Sequence, residues 1–383
     1  MGVSSAGTID TDGFSERRFV ADARMIAAGA HRFGIVEYTH YPNGPAYALA
    51  PAIKLGVREL DSLRIIPIIF SSICFAYCCL SVGMRIDSFW SRSVFLTGAL
   101  TLLFQPGVSN WMGALNDHSF AFVLCLAGLG LALDRHTRWF VFALLGFVAG
   151  WFSYDFIPAL ICSVFTCQIL LCVEDGIDWL LAIRRSLKSS SWVALGTVCA
   201  IAAHLVQNAL FFGSLKLAYQ DLVGSAATRA GFQIGEVLAP DYYASIKSAG
   251  MHVADDRFGA MWANFLLFTG TGLVSSWFAI LSFGLLIVLI VAVWVLVRRE
   301  LDISKNRGSG VLISYLLAFA GLAASGCLWF ILMPQHAKFH SHFLPRLFFV
   351  PLVLMWIVLA KTIDFILEGE NPANSRDGGA EAD

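Results

Sequence analysis

Charged residues are scarce in this sequence, so the few that adjoin long apolar runs are where chemistry is sought first. Asp10, Asp12 and Glu16 stand near the amino terminus, Asp117 follows Asn116 where an apolar run begins, and Asp155 lies in the Ser-Tyr-Asp-Phe turn between two apolar segments. Reduced hydration raises a carboxylate's pKa towards neutrality, where it can take a proton from a hydroxyl. Asp10-Thr11-Asp12 also has the D-x-D form of some metal-using sites, so a divalent metal is the one cofactor these residues could hold. A basic group comes late in the chain: His336, Lys338, His340 and His342, then Arg346, with no acid among them. Cationic donors of this kind bind phosphate oxygens. His340-x-His342 could also take zinc, but no Cys, Asp or Glu beside it completes a usual ligand set.

Each group has a plainer alternative. An acid such as Glu16 at a helix start is favoured by the helix dipole, and Asn116-Asp117 can be an ordinary helix cap. The late basic group can anchor to lipid headgroups without any reaction. His204, Gln207 and Asn208 share helical spacing inside an apolar run and are expected to hydrogen-bond to neighbouring helices.

The elements that must carry these residues follow from composition. The hydrophobic fraction is 57 %, the charged fraction 14 % and the mean hydropathy +0.70, beyond the make-up of ordinary soluble domains. A net charge of −1 offers nothing to a nucleic acid. All nine cysteines lie in or at the ends of apolar runs, where they behave as small hydrophobes and imply neither disulfides nor zinc spacing.

A membrane crossing takes about 20 apolar residues. The clearest candidates are Leu63–Gly83, Trp192–Gly213, Ser275–Val297, Leu312–Met333 and Leu344–Leu359; shorter ones are Trp90–Pro106, His118–Leu133, Trp139–Trp151 and Phe156–Cys172. The expected fold is therefore an all-α, polytopic bundle of about nine spans. Threading it with the amino-terminal segment outside puts Arg85 and Arg92, Arg135 and Arg138, Arg184, Arg185 and Lys188, and Arg298, Arg299, Lys305 and Arg307 on one side, the positive-inside pattern. Residues 1–62 then form an external loop, 63–361 the bundle with an external loop at 214–271, and 362–383 a cytoplasmic tail that reads as disordered, being rich in Gly, Asn, Asp and Glu from Glu368.

Within the first loop, Glu16 to Ala28 places Phe19, Ala23 and Ile26 on one stripe, the pattern of a helix lying in the membrane interface, with Gly29 as its stop. A second surface helix is expected from Asn43 as cap, with Pro45 in its first turn and Gly56 at its end. Met1 to Ser15 lacks the pattern of a secretory signal.

In order along the chain, Glu16, Phe19, Ala23, Arg24, Ile26 and Gly29, then Tyr41, Pro42, Pro45, Tyr47, Leu55 and Gly56, then LRIIPIIFSS from Leu63, Asn116-Asp117, and HSHFLPRLFFVP from His340 resemble the motifs of the GT-C glycosyltransferases. That family includes protein O-mannosyltransferases and bacterial aminoarabinose transferases. The resemblance runs from Asp12 to Ala360. It implies a transferase that moves a sugar from a polyprenyl-phosphate donor to a lipid, glycan or protein acceptor. The reaction would take place on the non-cytoplasmic face of a bilayer, such as the periplasmic side of a bacterial inner membrane. By the same resemblance Glu16 is the base, with Asp12 and Asp10 as alternatives. Asp117 is a second acid that orients the acceptor or binds a metal. Lys338, His340, His342 and Arg346, with His336 beside them, are the expected phosphate site, and Asp155, read from its place in the turn and not from the resemblance, is a candidate substrate contact. Tyr219, Asp221, Glu236, Asp241, Tyr242, Tyr243 and Trp262 could hold a sugar or acceptor. The family's pattern has an acid where Ser15 stands. It also begins with a membrane helix that has no counterpart before Asp12, which implies a chain shortened at its start. A transporter or flippase of lipid-linked or small anionic solutes, and a GT-C-like relative that has lost its chemistry, are the competing expectations.

Overall fold

Helix α5, Asp117–Ala132, is apolar on every side and is enclosed accordingly: Phe120 to Leu126, Leu129 and Ala132 are buried. A helix of that kind belongs at the centre of a bundle. The computed structural model describes residues 13–29, 41–103, 112–115, 117–230, 310–334 and 348–368. Every regular element among them is an α-helix. In chain order the others are α1 (Gly13–Ala27), α2 (Gly44–Lys54), α3 (Leu60–Gly83), α4 (Phe89–Leu103), α6 (Trp139–Phe152), α7 (Ile157–Glu174), α8 (Trp179–Phe212), α9 (Leu215–Arg229), α10 (Gly310–Leu332) and α11 (Phe349–Glu368).

Among the described residues, four helices are long and apolar enough to cross a membrane: α3, α7, α8 and, within α10, Ile313–Leu332. Their outward faces fit such a role, since Ile65, Ile69, Ile73 and Leu80 on α3 and Leu195, Val198, Val206 and Leu210 on α8 are exposed. Apolar stripes of that extent need a covering phase, and lipid supplies it. Helices α4, α5 and α6, with 15, 16 and 14 residues, are apolar but shorter than the roughly 20 residues of a full crossing. The expected span Ser275–Val297 lies outside the described residues.

Close packing comes from small residues. On α6, Gly146 and Gly150 face Val193, Thr197 and Ala200 of α8, while Gly196 of α8 faces Ala143 of α6. A Cβ at Gly146 or Gly196 would collide with the carbonyl of the opposite helix. The Thr197 hydroxyl spans the contact, donating to the Gly146 carbonyl (3.2 Å) or to that of Val193 (3.1 Å). This is the small-xxx-small way of bringing membrane helices together, where apolar burial alone gives little drive. Gly321 of α10 meets Thr166 of α7, and Gly98 of α4 lies under the Trp356 ring of α11, in the same manner.

Several boundaries differ from those read in the sequence. Helix α8 begins at Trp179, where the Asp178 carboxylate caps it by accepting from the Leu180 N–H (3.0 Å), so Arg184, Arg185 and Lys188 ride on a helix and not in a loop. Helix α9 occupies the start of what reads as the 214–271 loop. Helix α11 is described from Phe349 and continues past 361 to Glu368, where Lys361 and Asp364 are themselves buried and paired with Glu174 and with the Asp87 and Ser88 N–H groups.

The amino-terminal helices also settle differently. Phe19, Val20 and Ala23 of α1 pack with Ala46, Leu49 and Ala50 of α2, Leu63 of α3 and Leu115. The stripe expected to lie in lipid is thus largely buried in protein, with Ile26 at its edge. Gly29, at φ 89°, ends the helix as expected. In α2, Pro45 does sit in the first turn, but Asn43 makes no capping hydrogen bond with its side chain. It is buried instead, as Gly44 is pressed against the Trp151 carbonyl and Phe152.

Candidate functional site

One end of the bundle gathers the starts of α2, α5 and α7 and the ends of α6, α8 and α9. Its polar residues come from segments far apart in sequence. Tyr154, in the turn after α6, contacts His204 of α8, with the phenolic oxygen 2.6 Å from Nδ1. Burial pushes the Tyr154 phenol up from its ordinary value, and the nearby Arg229 charge pulls it partly back. The phenol therefore keeps its proton at neutral pH, and it shares one short hydrogen bond with the imidazole. Gln207, one turn further along α8, donates from Nε2 to the Tyr47 hydroxyl (3.0 Å). The Tyr47 ring lies 6.2 Å from that of Trp151. At the end of α9, the Arg229 guanidinium stands 4.6 Å above the Tyr41 ring, within the range of a cation–π contact.

Together these residues form an aromatic surface with a cation, a phenol–imidazole pair and an amide along it. Asp155 is buried in the same turn, beside Ser153, whose hydroxyl accepts from the Asp155 N–H (3.4 Å). The buried Asn43 Oδ1 has no hydrogen-bond partner among the described residues.

The residues singled out in the sequence fall unevenly on this picture. Glu16 belongs to α1, Asp117 is the first residue of α5, and α1 packs against Leu115, so the backbone brings both to this end. Asp10 and Asp12, and His336, Lys338, His340, His342 and Arg346, lie outside the described residues, as do Glu236, Asp241, Tyr242, Tyr243 and Trp262. Of His204, Gln207 and Asn208, expected to bond to neighbouring helices, Gln207 does so through Tyr47 of α2, while His204 is met by Tyr154 of the turn after α6. Among the described residues no three His, Cys, Asp or Glu side chains come together as a metal set.

Two features were not anticipated. Arg229 carries no local signal, because it matters only through the Tyr41 ring that folding brings to it. The second feature is at the opposite end, where a hollow of about 230 Å³ is lined by Arg85, Asp87, Arg135, Glu174, Tyr315, Lys361 and Asp364. Its charges are matched internally. Lys361 reaches Glu174 at 2.6 Å, Arg135 pairs with Asp175, and Arg85 faces Asp134 at 3.8 Å. The Asp364 carboxylate accepts from the Asp87 and Ser88 N–H groups at 2.9 and 2.7 Å, which satisfies the free donors before α4. A self-neutralised set of this kind ties helix ends together. It also shows that the loops bearing Arg85 and Arg135 share one end of the bundle, as the charge pattern of the sequence required.

No protein-family model, no curated protein and no solved structure matches the chain.

Proposed function

We propose that the protein is a GT-C-like membrane glycosyltransferase that moves a sugar from a polyprenyl-phosphate donor to an acceptor at the end of the bundle bearing α1 and α2. The observation that carries this reading is the convergence there of α1 with Glu16, the start of α5 at Asp117 and the buried Asp155 turn, beside an aromatic surface with Arg229. Aromatic faces such as Tyr41, Tyr47 and Trp151 suit the C–H faces of a sugar ring. A guanidinium suits the departing phosphate. In this scheme Glu16 takes the proton of the acceptor hydroxyl as its oxygen attacks the anomeric carbon. The bond from that carbon to the phosphate oxygen breaks, and the lipid phosphate leaves with the electron pair. Asp117 orients the acceptor. The basic group His336, Lys338, His340, His342 and Arg346 holds the phosphate. A divalent metal would supply further charge for the leaving group, and this end would face the non-cytoplasmic side.

A transport path favours ionisable groups facing it midway along several helices. Among the described residues, the buried charged side chains are Asp22 in α1, Asp155 in a turn, and Lys361 and Asp364 in the second half of α11. Their distribution supports a reaction at a membrane surface over passage through the bundle.

Purified protein given a labelled polyprenyl-phosphate sugar should transfer it to an acceptor, and E16Q and D117N should each lower turnover by about 10²-fold or more, the range for loss of a general base. Full turnover by both variants would remove the assigned roles. Absence of transfer by the parent chain, with uptake of the labelled compound into proteoliposomes, would replace the enzyme by a transporter.

A further inference from the structure

On the end of the bundle opposite α1 and α2, a second hollow of about 320 Å³ lies between the α5–α6 loop, the end of α7 and one face of α8. Its walls differ in character. One carries Arg135, Arg185 and Lys188 with the carboxylates Asp134 and Asp175; the other carries Trp139 and Trp192, whose ring centroids are 4.4 Å apart. The two carboxylates are already engaged. Asp175 pairs with Arg135, and Asp134 accepts from the His136 N–H (3.0 Å) and the Thr137 hydroxyl (3.3 Å) while facing Arg85. The uncharged polar groups are likewise spoken for: Ser189 donates to Gln168 at 3.2 Å, and Gln168 donates to the Ala132 carbonyl at 2.5 Å.

Arg185 and Lys188 are different. They sit one turn apart on α8, both exposed, and neither forms an ion pair with a described acid. Two positive charges therefore face a cavity whose acids are occupied. Around them the surface is apolar: Trp139 is 54 % exposed, Leu187 53 % and Leu195 48 %, on helices that continue towards the bilayer interior. A free phosphate ion would use the cations and ignore the tryptophans. A phospholipid uses both, its phosphate on the basic residues and its glycerol and acyl stems along the aromatic wall.

We infer that this hollow binds the phosphate-bearing headgroup of an anionic phospholipid, with Arg185 and Lys188 on the phosphate oxygens and Trp139 and Trp192 against the apolar stem. Basic pockets between helices at one membrane surface are suited to such headgroups, and tryptophan is at home at that depth. The ligand would hold the amphipathic start of α8 at the interface and brace the α6–α8 contact beside it. This site is at the other end of the molecule from the glycosyl-transfer site proposed above, so each proposal stands or falls alone.

The test is thermal denaturation of the full chain in a neutral detergent, titrated separately with dioctanoyl-phosphatidylglycerol, dioctanoyl-phosphatidylcholine and inorganic phosphate. Saturable stabilisation by the phosphatidylglycerol is expected, with R185Q/K188Q binding it roughly thirtyfold more weakly, from the usual contribution of two basic residues near an anionic surface. The charge-keeping pair R185K/K188R should retain most of the binding, and R184Q, a neighbouring exposed change outside the hollow, should match the parent. Equal stabilisation by phosphatidylcholine, the same shift from inorganic phosphate alone, or undiminished binding in R185Q/K188Q would each overturn the inference.

Discussion

Asp364 shows how a single side chain can carry a structural role that its neighbours in sequence do not disclose. It caps α4 through two N–H groups 277 and 276 positions away, at a partly buried site. D364A should therefore destabilise the protein by about 1.5–3 kcal/mol, the usual net contribution of a hydrogen bond to a charged group. D364N, which keeps one carbonyl acceptor, should cost less; denaturation midpoints of the two variants in detergent give the comparison, and equal midpoints would show that the cap contributes nothing. Asn43 is the converse. Its type and place before Pro45 read as a helix cap, but the side chain is buried among α2, α6 and their neighbours, a choice made by packing around Gly44. At the end of the bundle bearing α1 and α2, His204 was visible as a polar residue within an apolar run, whereas Tyr154 was not singled out. Their pairing, and the approach of Arg229, depend on how α6, α8 and α9 are arranged.

Among the elements, the pair α6 and α8 makes the most intimate contact, and its physical basis is the absence of side chains. G146L or G196L should force the helices apart and cost about 3 kcal/mol, or prevent folding. G83A, at the end of α3 where nothing lies within 4 Å, should be neutral or slightly stabilising. Circular dichroism melts of the three variants would separate the cases; a tolerated G146L would mean that the two helices do not touch as described. Helix α1 makes the related point that an amphipathic stripe states how much surface must be covered without stating by what. Phe19 and Ala23 were legible as a buried face, whereas the cover proved to be α2 and Leu115 and not lipid.

For the whole molecule, the two ends of the bundle differ in character. Ion pairs among Arg85, Asp134, Arg135, Asp175, Glu174 and Lys361 draw several loops to one end, and the α1–α2 platform with its aromatic residues takes the other. In a cysteine-free background, H136C and R184C should be labelled by a membrane-impermeant maleimide from one side of sealed vesicles, and R58C from the other; all three positions are exposed. Labelling of His136 and Arg58 positions from the same side would refute this separation of ends.

Composition and the distribution of apolar runs were enough to specify an all-helical membrane protein and where most of its helices lie, because the bilayer requires every backbone polar group to be satisfied within the segment that crosses it. The same logic made the grouping of basic loops readable, since charge placement is a property of short segments. Contacts between segments were not written in that way. Which glycine meets which carbonyl, that Asp364 caps α4, that α1 is covered by α2, and that Arg185 and Lys188 look onto a cavity with tryptophans are results of tertiary packing. In an apolar solvent, helices choose partners by shape and by a few hydrogen bonds, and neither is encoded by hydrophobic periodicity.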